Sequence, residues 1–201
     1  MKHAIIAAHP KLESFTLTMA NAWRKAAEKN GDEVVFRDLY RDNFDPCLKE
    51  DEIAWFPGFR THDDVAKERE LLGDVHVFAM FYPLWLNAPP AILKGYLDRV
   101  FGIGFAYKRG RGGNEPLLAG RKLISFTSSG APTEWVIQTG AWQAVRTLFD
   151  SHFASVCGLE VVDHIHFGGI VPGMRTDVIG RHAESVRASL AKHFANPAAQ
   201  G

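Results

Sequence analysis

The chain has 201 residues, 46% of them hydrophobic and 23% charged, which fits one globular domain spanning 1–201 with a sizeable core. Lysine plus arginine equals aspartate plus glutamate at 23 each, so nothing in the charge balance points to nucleic acid or an anionic membrane as partner. Cys47 and Cys157 lack metal-like or CxxC spacing, and the N-terminal apolar run is too short for a signal-peptide core or a membrane span; a cytoplasmic protein with two free thiols and no membrane insertion is expected.

Ala4 to Ala8 is a short, continuous apolar run, the pattern of a strand buried on both faces. After a loop at His9 to Ser14, Phe15, Met19, Trp23 and Ala27 recur every four residues and predict an amphipathic helix, ended by Asn30-Gly31-Asp32. Glu33 to Leu39 reads as a second strand. Tyr40 to His62 mixes aromatics, acids and two prolines, and predicts an irregular excursion with one short helix near Lys49 to Ala54. His62 to Leu72 reads as helix and Val75 to Phe81 as the third strand. A loop stiffened by Pro83, Pro89 and Pro90 and carrying Trp85 follows. Ile92, Leu93, Tyr96, Leu97, Val100 and Phe101 then give a core-facing helix. Gly102 to Gly120 is a long glycine-rich loop with a cluster of Lys108, Arg109 and Arg111. Leu123 to Thr127 is the fourth strand, Thr139 to Val156 a helix, Leu159 to Phe167 the fifth strand, and Ile179, Val186, Leu190 and Phe194 mark a last amphipathic helix.

Strands and helices alternate, and the strands are continuous rather than alternating in hydrophobicity. This predicts an α/β three-layer sandwich doubly wound around a five-stranded parallel sheet. With the flavodoxin-like order 2-1-3-4-5, strands one, three and four lie side by side, and ligands bind beyond their carboxyl ends. Three unusual loops then converge. His9 to Thr16 leads into a helix N-terminus, where free N–H groups and the Ser14 and Thr16 hydroxyls suit a phosphate; the alternative is that Ser14 simply caps the helix. Glu13 has the wrong charge for that role and must point away. No glycine cluster stands there, which disfavours a Rossmann dinucleotide turn. Pro83 to Asn87 offers Leu84, Trp85 and Leu86 as flat or apolar walls. Thr127-Ser128-Ser129-Gly130 offers small side chains and N–H groups to a polar ring edge. His164 and His166 share a strand face and could be a metal pair, but without a third ligand nearby in sequence. Gly102-Ile103-Gly104 follows a helix and is a weak glycine signal. A flavin is the flat, polar-edged ligand that best fits.

The string Pro83-Leu84 with Pro90-Ala91-Ile92-Leu93-Lys94-Gly95, then Asp98-Arg99-Val100-Phe101 and Phe105-Ala106-Tyr107, resembles the NAD(P)H:quinone oxidoreductase (DT-diaphorase) family. Ala8-His9 with Ser14-Phe15 and the Thr127 to Gly130 turn match as well. The resemblance implies a homodimeric flavoprotein that passes hydride from NADPH or NADH through FAD, or FMN as the alternative, to a quinone. It implies that His9, Ser14, Phe15 and Thr16 hold the phosphates and the adenylate side. Pro83, Leu84, Trp85, Leu86 and Asn87 with Thr127, Ser128, Ser129 and Gly130 would hold the ring. Tyr107 would face the substrate. Where the best-known members carry a charge-stabilising tyrosine and histidine, this chain has Trp135 and Ala141, neither able to relay a proton. Thr127, Tyr107 and Trp135 are therefore the catalytic candidates. Two other readings are an ancillary subunit of an ion-efflux transporter and a flavodoxin-type electron carrier.

Overall fold

The computed structural model describes residues 1–195. Five parallel strands form the sheet: β1 (Lys2–Ala7), β2 (Glu33–Asp38), β3 (Val77–Pro83), β6 (Lys122–Ser128) and β7 (Glu160–Phe167), in the order β2-β1-β3-β6-β7. This is the expected 2-1-3-4-5 order, renumbered because a separate antiparallel hairpin, β4 (Tyr107–Gly110) with β5 (Gly113–Pro116), intervenes. That hairpin corrects the expected loop at Gly102 to Gly120. Its turn is made by Gly110 to Gly113, with Gly113 at φ 136°.

Alternate residues of each strand feed two cores. Ile5, Ala7 and Phe81 pack under α1 (Phe15–Lys29) and α7 (Thr176–Phe194), around the buried Trp23. Ala4, Ile6 and Tyr82 pack under α2 (Asp63–Leu71), α3 (Ala91–Val100) and a compound helix on the other face. That helix differs from the expected Thr139 to Val156. It begins at α4 (Thr133–Gln138), just after Pro132, and breaks at Gly140, which sits in the left-handed region at φ 76°. It resumes as α5 (Ala141–Val145), a π-helical stretch Arg146–His152, and α6 (Phe153–Cys157). The excursion after β2 is irregular as expected, with one 3₁₀ turn at Glu50–Glu52.

A buried ion cluster ties that excursion to α3. Arg99 donates to both oxygens of Glu52 at 2.8 Å, to Asp64 at 2.7 and 3.1 Å, and to the Asp45 carbonyl at 2.6 Å. Gly95, one turn earlier, lets the chain cross at closest approach: a Cβ there would lie 2.2 Å from the Pro46 carbonyl oxygen. Both cysteines are free; Cys157 is buried, which pushes its thiol pKa up to about 12. No helix among the described residues is long and apolar enough to cross a membrane.

Two outcomes follow for thermal unfolding. Gly95→Ala lowers stability by about 1–3 kcal/mol through the clash with Pro46. Gly180→Ala on the open face of α7, where an added Cβ meets nothing within 4 Å, raises it by about 0.5–1 kcal/mol. A pH effect is expected as well. His3 is fully buried, accepts from Trp23 Nε1 at 3.3 Å, and is pushed down to about 4 by burial, against the attraction of Asp32. Its folded pKa lies below the unfolded value of about 6.5, so the stability it contributes is complete above that value and drains as pH falls towards 4. Melting temperatures measured across that window decline less steeply in His3→Gln than in the parent chain.

Candidate functional site

The carboxyl ends of β1, β3 and β6 open onto a cavity of about 620 Å³, within the range that takes a cofactor. It is lined by His9, Ser14, Phe15, Thr16, Pro83, Leu84, Trp85, Ser128, Ser129 and Gly130, so all three expected loops contribute. The loop after β7 adds Ile170 to Met174, residues that sequence reasoning missed because they carry no motif. Hydrogen bonds explain their placement. Ile170 N–H donates to the Ser129 carbonyl at 2.9 Å, and Gly169 N–H to the Ala131 carbonyl at 2.9 Å.

At one end of the cavity α1 begins. Ser14 is its N-cap: Oγ accepts from Leu17 N–H at 3.2 Å. The cap uses an oxygen lone pair, so the hydroxyl hydrogen stays available to a ligand. The amides of Phe15 and Thr16 have no partner inside the helix by its geometry and lie at the cavity edge. The loop before them is pinned by Arg41, which donates to the His9 and Pro10 carbonyls at 2.6 Å each and to Asp38 at 2.9 Å. His9 Nδ1 accepts from Lys11 N–H at 3.0 Å, which leaves Nε2 as the N–H. Burial pushes its pKa below the usual histidine range, against the hydrogen bond to the Lys11 backbone, and the Arg41 charge adds to the lowering. Glu13 is exposed at the rim.

The proline-stiffened loop forms a tight turn. Trp85 and Ala88 exchange hydrogen bonds at 3.0 and 3.1 Å, and Leu86 (φ 50°) and Asn87 (φ 57°) both occupy the left-handed region between them. That is the backbone of a type I′ turn without its usual glycine. A leucine held there stores roughly 1–2 kcal/mol of strain. The turn presents the Trp85 ring, 5.8 Å from that of His9, to the cavity, while Leu86 and Asn87 project away from it and are exposed. Leu86 and Asn87, expected in the ring wall, do not line this cavity.

Thr127 lies just beneath the floor, buried, beside a small void shared with Phe15, Thr16 and Ser128. Tyr107 and Trp135 do not reach the main cavity. Tyr107 opens the hairpin and lines a separate cavity of about 170 Å³ with Glu52 and Arg69. Trp135 is half-exposed on α4. No cluster of side chains able to hold a metal occurs among the described residues. His164 and His166 instead turn their shared face to Thr127. Its Oγ1 lies 3.0 Å from His164 Nε2 and 2.9 Å from His166 Nδ1, because β6 and β7 place Thr127 directly opposite His166. Asp150, from the π-helical stretch, reaches His164 Nδ1 at 2.8 Å, a contact across the fold that no local spacing announced.

A parallel sheet with a strand-end crevice, an apolar and aromatic wall and a helix N-terminus at one end defines the doubly wound α/β class, whose ligand sites lie at that crevice. Residues 1–190 match the profile of a family described by its flavodoxin-like fold (Flavodoxin_2), and the chain belongs to that family. It is 34% identical over 171 residues to an "Uncharacterized NAD(P)H oxidoreductase" of Haemophilus influenzae, covering 85% of each chain. It is 29% identical over 181 residues to NAD(P)H dehydrogenase (quinone) 1 of Rattus norvegicus, covering 79% of this chain and 65% of that one. Among solved structures, it is similar to an NAD(P)H:quinone oxidoreductase from Methanothermobacter marburgensis, with a TM-score of 0.84 at 27% identity over 98% of this chain and 99% of that one.

The pinning of the first loop has a direct check. Arg41→Ala frees the His9 and Pro10 carbonyls, and hydrogen exchange at residues 9–13 should rise at least tenfold while exchange in β1 stays unchanged.

Proposed function

We propose that this chain is a flavin-dependent NAD(P)H:quinone oxidoreductase working by ping-pong hydride transfer. The observation that carries the reading is the convergence of the three strand-end loops on one cavity with an aromatic wall and a helix N-terminus. The names of its relatives support the same chemistry. The residues fit the cofactor in kind: Phe15 and Thr16 amides and the Ser14 and Thr16 hydroxyls for phosphate, Trp85 and Leu84 for a flat face, and small residues at Ser128 to Gly130 for a polar ring edge. Held by these residues, a flavin would supply hydride transfer between NADPH or NADH and a quinone or similar acceptor.

The protein's part is positioning and exclusion. His9, held by Lys11 and seated beside Trp85, closes the phosphate end against the ring wall. Pro83 and Leu84 are fixed to the neighbouring loop by the Leu84 N–H to Ser128 carbonyl bond at 2.7 Å, so two walls of the cavity move as one. Leu86 and Asn87, outside the ring wall, sit where an entering acceptor would brush the mouth. We take FAD rather than FMN as the occupant, because the cavity continues beyond the phosphate end to Thr18, Asn21, Met174 and Ile179, room for a second nucleotide half.

We also read the chain as a homodimer. Ile53, Trp55, Phe56 and Phe59 are exposed beside the smaller cavity that holds Tyr107, and a second copy covering them would bring Tyr107 to a shared substrate side. Sedimentation should then give twice the 22.3 kDa chain mass, and Trp55→Glu with Phe59→Glu should give the monomer; a monomeric parent chain contradicts this part.

Mass spectrometry of the flavin released from purified protein tests the cofactor reading, with FAD the expected result and FMN overturning the choice between them. Trp85→Ala should weaken flavin binding roughly tenfold through the lost ring contact, about 1.4 kcal/mol. A chain that takes up neither flavin on reconstitution overturns the whole reading.

A further inference from the structure

Beneath the cavity floor runs a continuous chain of polar groups. Asp150 Oδ2 meets His164 Nδ1 at 2.8 Å, His164 Nε2 meets Thr127 Oγ1 at 3.0 Å, Thr127 Oγ1 meets His166 Nδ1 at 2.9 Å, and His166 Nε2 meets Ser129 Oγ at 3.0 Å. Asp150, His164, Thr127 and Ser129 are all buried, and Ser129 lines the cavity. We propose that these five residues form a proton relay that stores one proton at the Asp150–His164 end and delivers it through Ser129 to the cavity. The proposal rests on the oxidoreductase reading for its purpose. NAD(P)H plus a quinone plus one proton gives NAD(P)⁺ plus a hydroquinone. The hydride carries both electrons and one hydrogen, and the second hydrogen must arrive as a proton.

The hydrogen positions allow two complete arrangements that differ by that proton. In the empty state the Asp150 carboxylate accepts from His164 Nδ1–H, and His164 Nε2 accepts from the Thr127 hydroxyl. Thr127 Oγ1 accepts from His166 Nδ1–H, and His166 Nε2 accepts from the Ser129 hydroxyl. In the loaded state His164 carries protons on both nitrogens, Thr127 donates to His166 Nδ1, and His166 Nε2–H donates to Ser129 Oγ. Ser129 then donates to the Ala131 carbonyl, 2.8 Å away. Release runs from the cavity end. The Ser129 hydroxyl proton leaves, and Ser129 takes the Nε2 proton of His166. His166 Nδ1 takes the Thr127 proton, and Thr127 takes the Nε2 proton of His164. No bond but O–H and N–H changes, and no group is left charged except the Asp150 carboxylate. The Ala131 carbonyl keeps a donor throughout, from Gly169 N–H at 2.9 Å.

The surroundings favour storage at the Asp150 end. Asp150 is delivered by a π-helical stretch, a geometry that recurs at functional sites. Its Oδ1 has no hydrogen-bond partner among the described residues, so its charge is directed at His164. The other groups facing the pair are Arg146, with Nε 3.7 Å from Asp150 Oδ2; Asp163, which accepts from the His164 amide at 2.8 Å; and the buried Tyr82, its ring 6.4 Å from that of His164. Trp142 covers both imidazoles from α5, at 4.6 and 5.5 Å. Burial and the neighbouring His164 push His166 down to about 4, which keeps it the neutral conductor rather than the store.

Nitrogen-15 NMR of the histidine rings in the full chain, without added flavin, reads the relay directly. As the pH is lowered, His166 should change from the Nδ1–H to the Nε2–H tautomer in the step in which the relay takes up its proton. Asp150→Asn should lower the midpoint of that tautomer change by at least about one pH unit. A His166 that keeps one tautomer throughout, or a midpoint that Asp150→Asn leaves in place, overturns the relay whether or not the chain binds flavin. In the flavin-loaded enzyme, His166→Asn keeps a polar side chain but cannot pass a proton. It should slow acceptor reduction about a hundredfold while leaving reduction by NAD(P)H unchanged. Equal loss in both half-reactions, or none in either, means His166 is a structural residue and the proposal fails.

Discussion

The direction of the chain crossovers is the constraint on which the rest of this structure depends. From β1 the chain passes over one face to β2; from β2 it returns across the other face to β3, and the order then runs outward through β6 and β7. Right-handed connections leave little freedom in this, and they part the loops that follow β1 and β3. A crevice at the carboxyl edge is the unavoidable product. The two cores, one under α1 and α7 and one under α2, α3 and the compound helix, clamp the strands that form its floor. The stacked pair Phe81 and Phe126, 4.6 Å apart and nearly parallel, locks β3 to β6 directly below it.

Around that rigid floor the chain divides its walls into fixed and exposed parts. Arg41 ties the first loop to the end of β2, and Leu84 is bonded to Ser128. The loop after β7 is laid over the opening by its bonds to Ser129 and Ala131. By contrast, Leu86 and Asn87 are held outward on a strained turn. Preorganised walls with a protruding lip suit a resident cofactor and a transient second substrate. The buried Arg99 cluster serves a different end: it anchors the irregular excursion whose exposed aromatic tip we assign to a second copy.

Much of this was legible in the sequence, for physical reasons that can be named. Strands buried on both faces must be continuously apolar, so Ala4 to Ala8 and Val75 to Phe81 declared themselves, and with them the sheet order and the three loops. The hairpin at Tyr107 to Pro116 did not, because its strands are short, polar and outside the core, and carry no alternating pattern. The start of the compound helix was hidden because α4 leaves Trp135 and Ile137 exposed, breaking the expected apolar stripe. The type I′ turn at Leu86-Asn87 lacks the glycine that usually signals one. His164 and His166 were visible as a pair sharing one face. Their partners were not, since Thr127 is 37 residues from His164 and Asp150 is 14, and only the assembled sheet and the π-helical stretch bring them together.

The central claim, a strand-end cavity that holds a flavin for two-electron transfer between a nicotinamide and a quinone, is tested most directly by anaerobic titration of the flavin-loaded protein with NADPH and then with a quinone. The account predicts that one equivalent of NADPH bleaches the yellow colour and one equivalent of quinone restores it, with no stable one-electron species in between. Colour that NADPH leaves untouched, or accumulation of a one-electron species as in an electron shuttle, would contradict it.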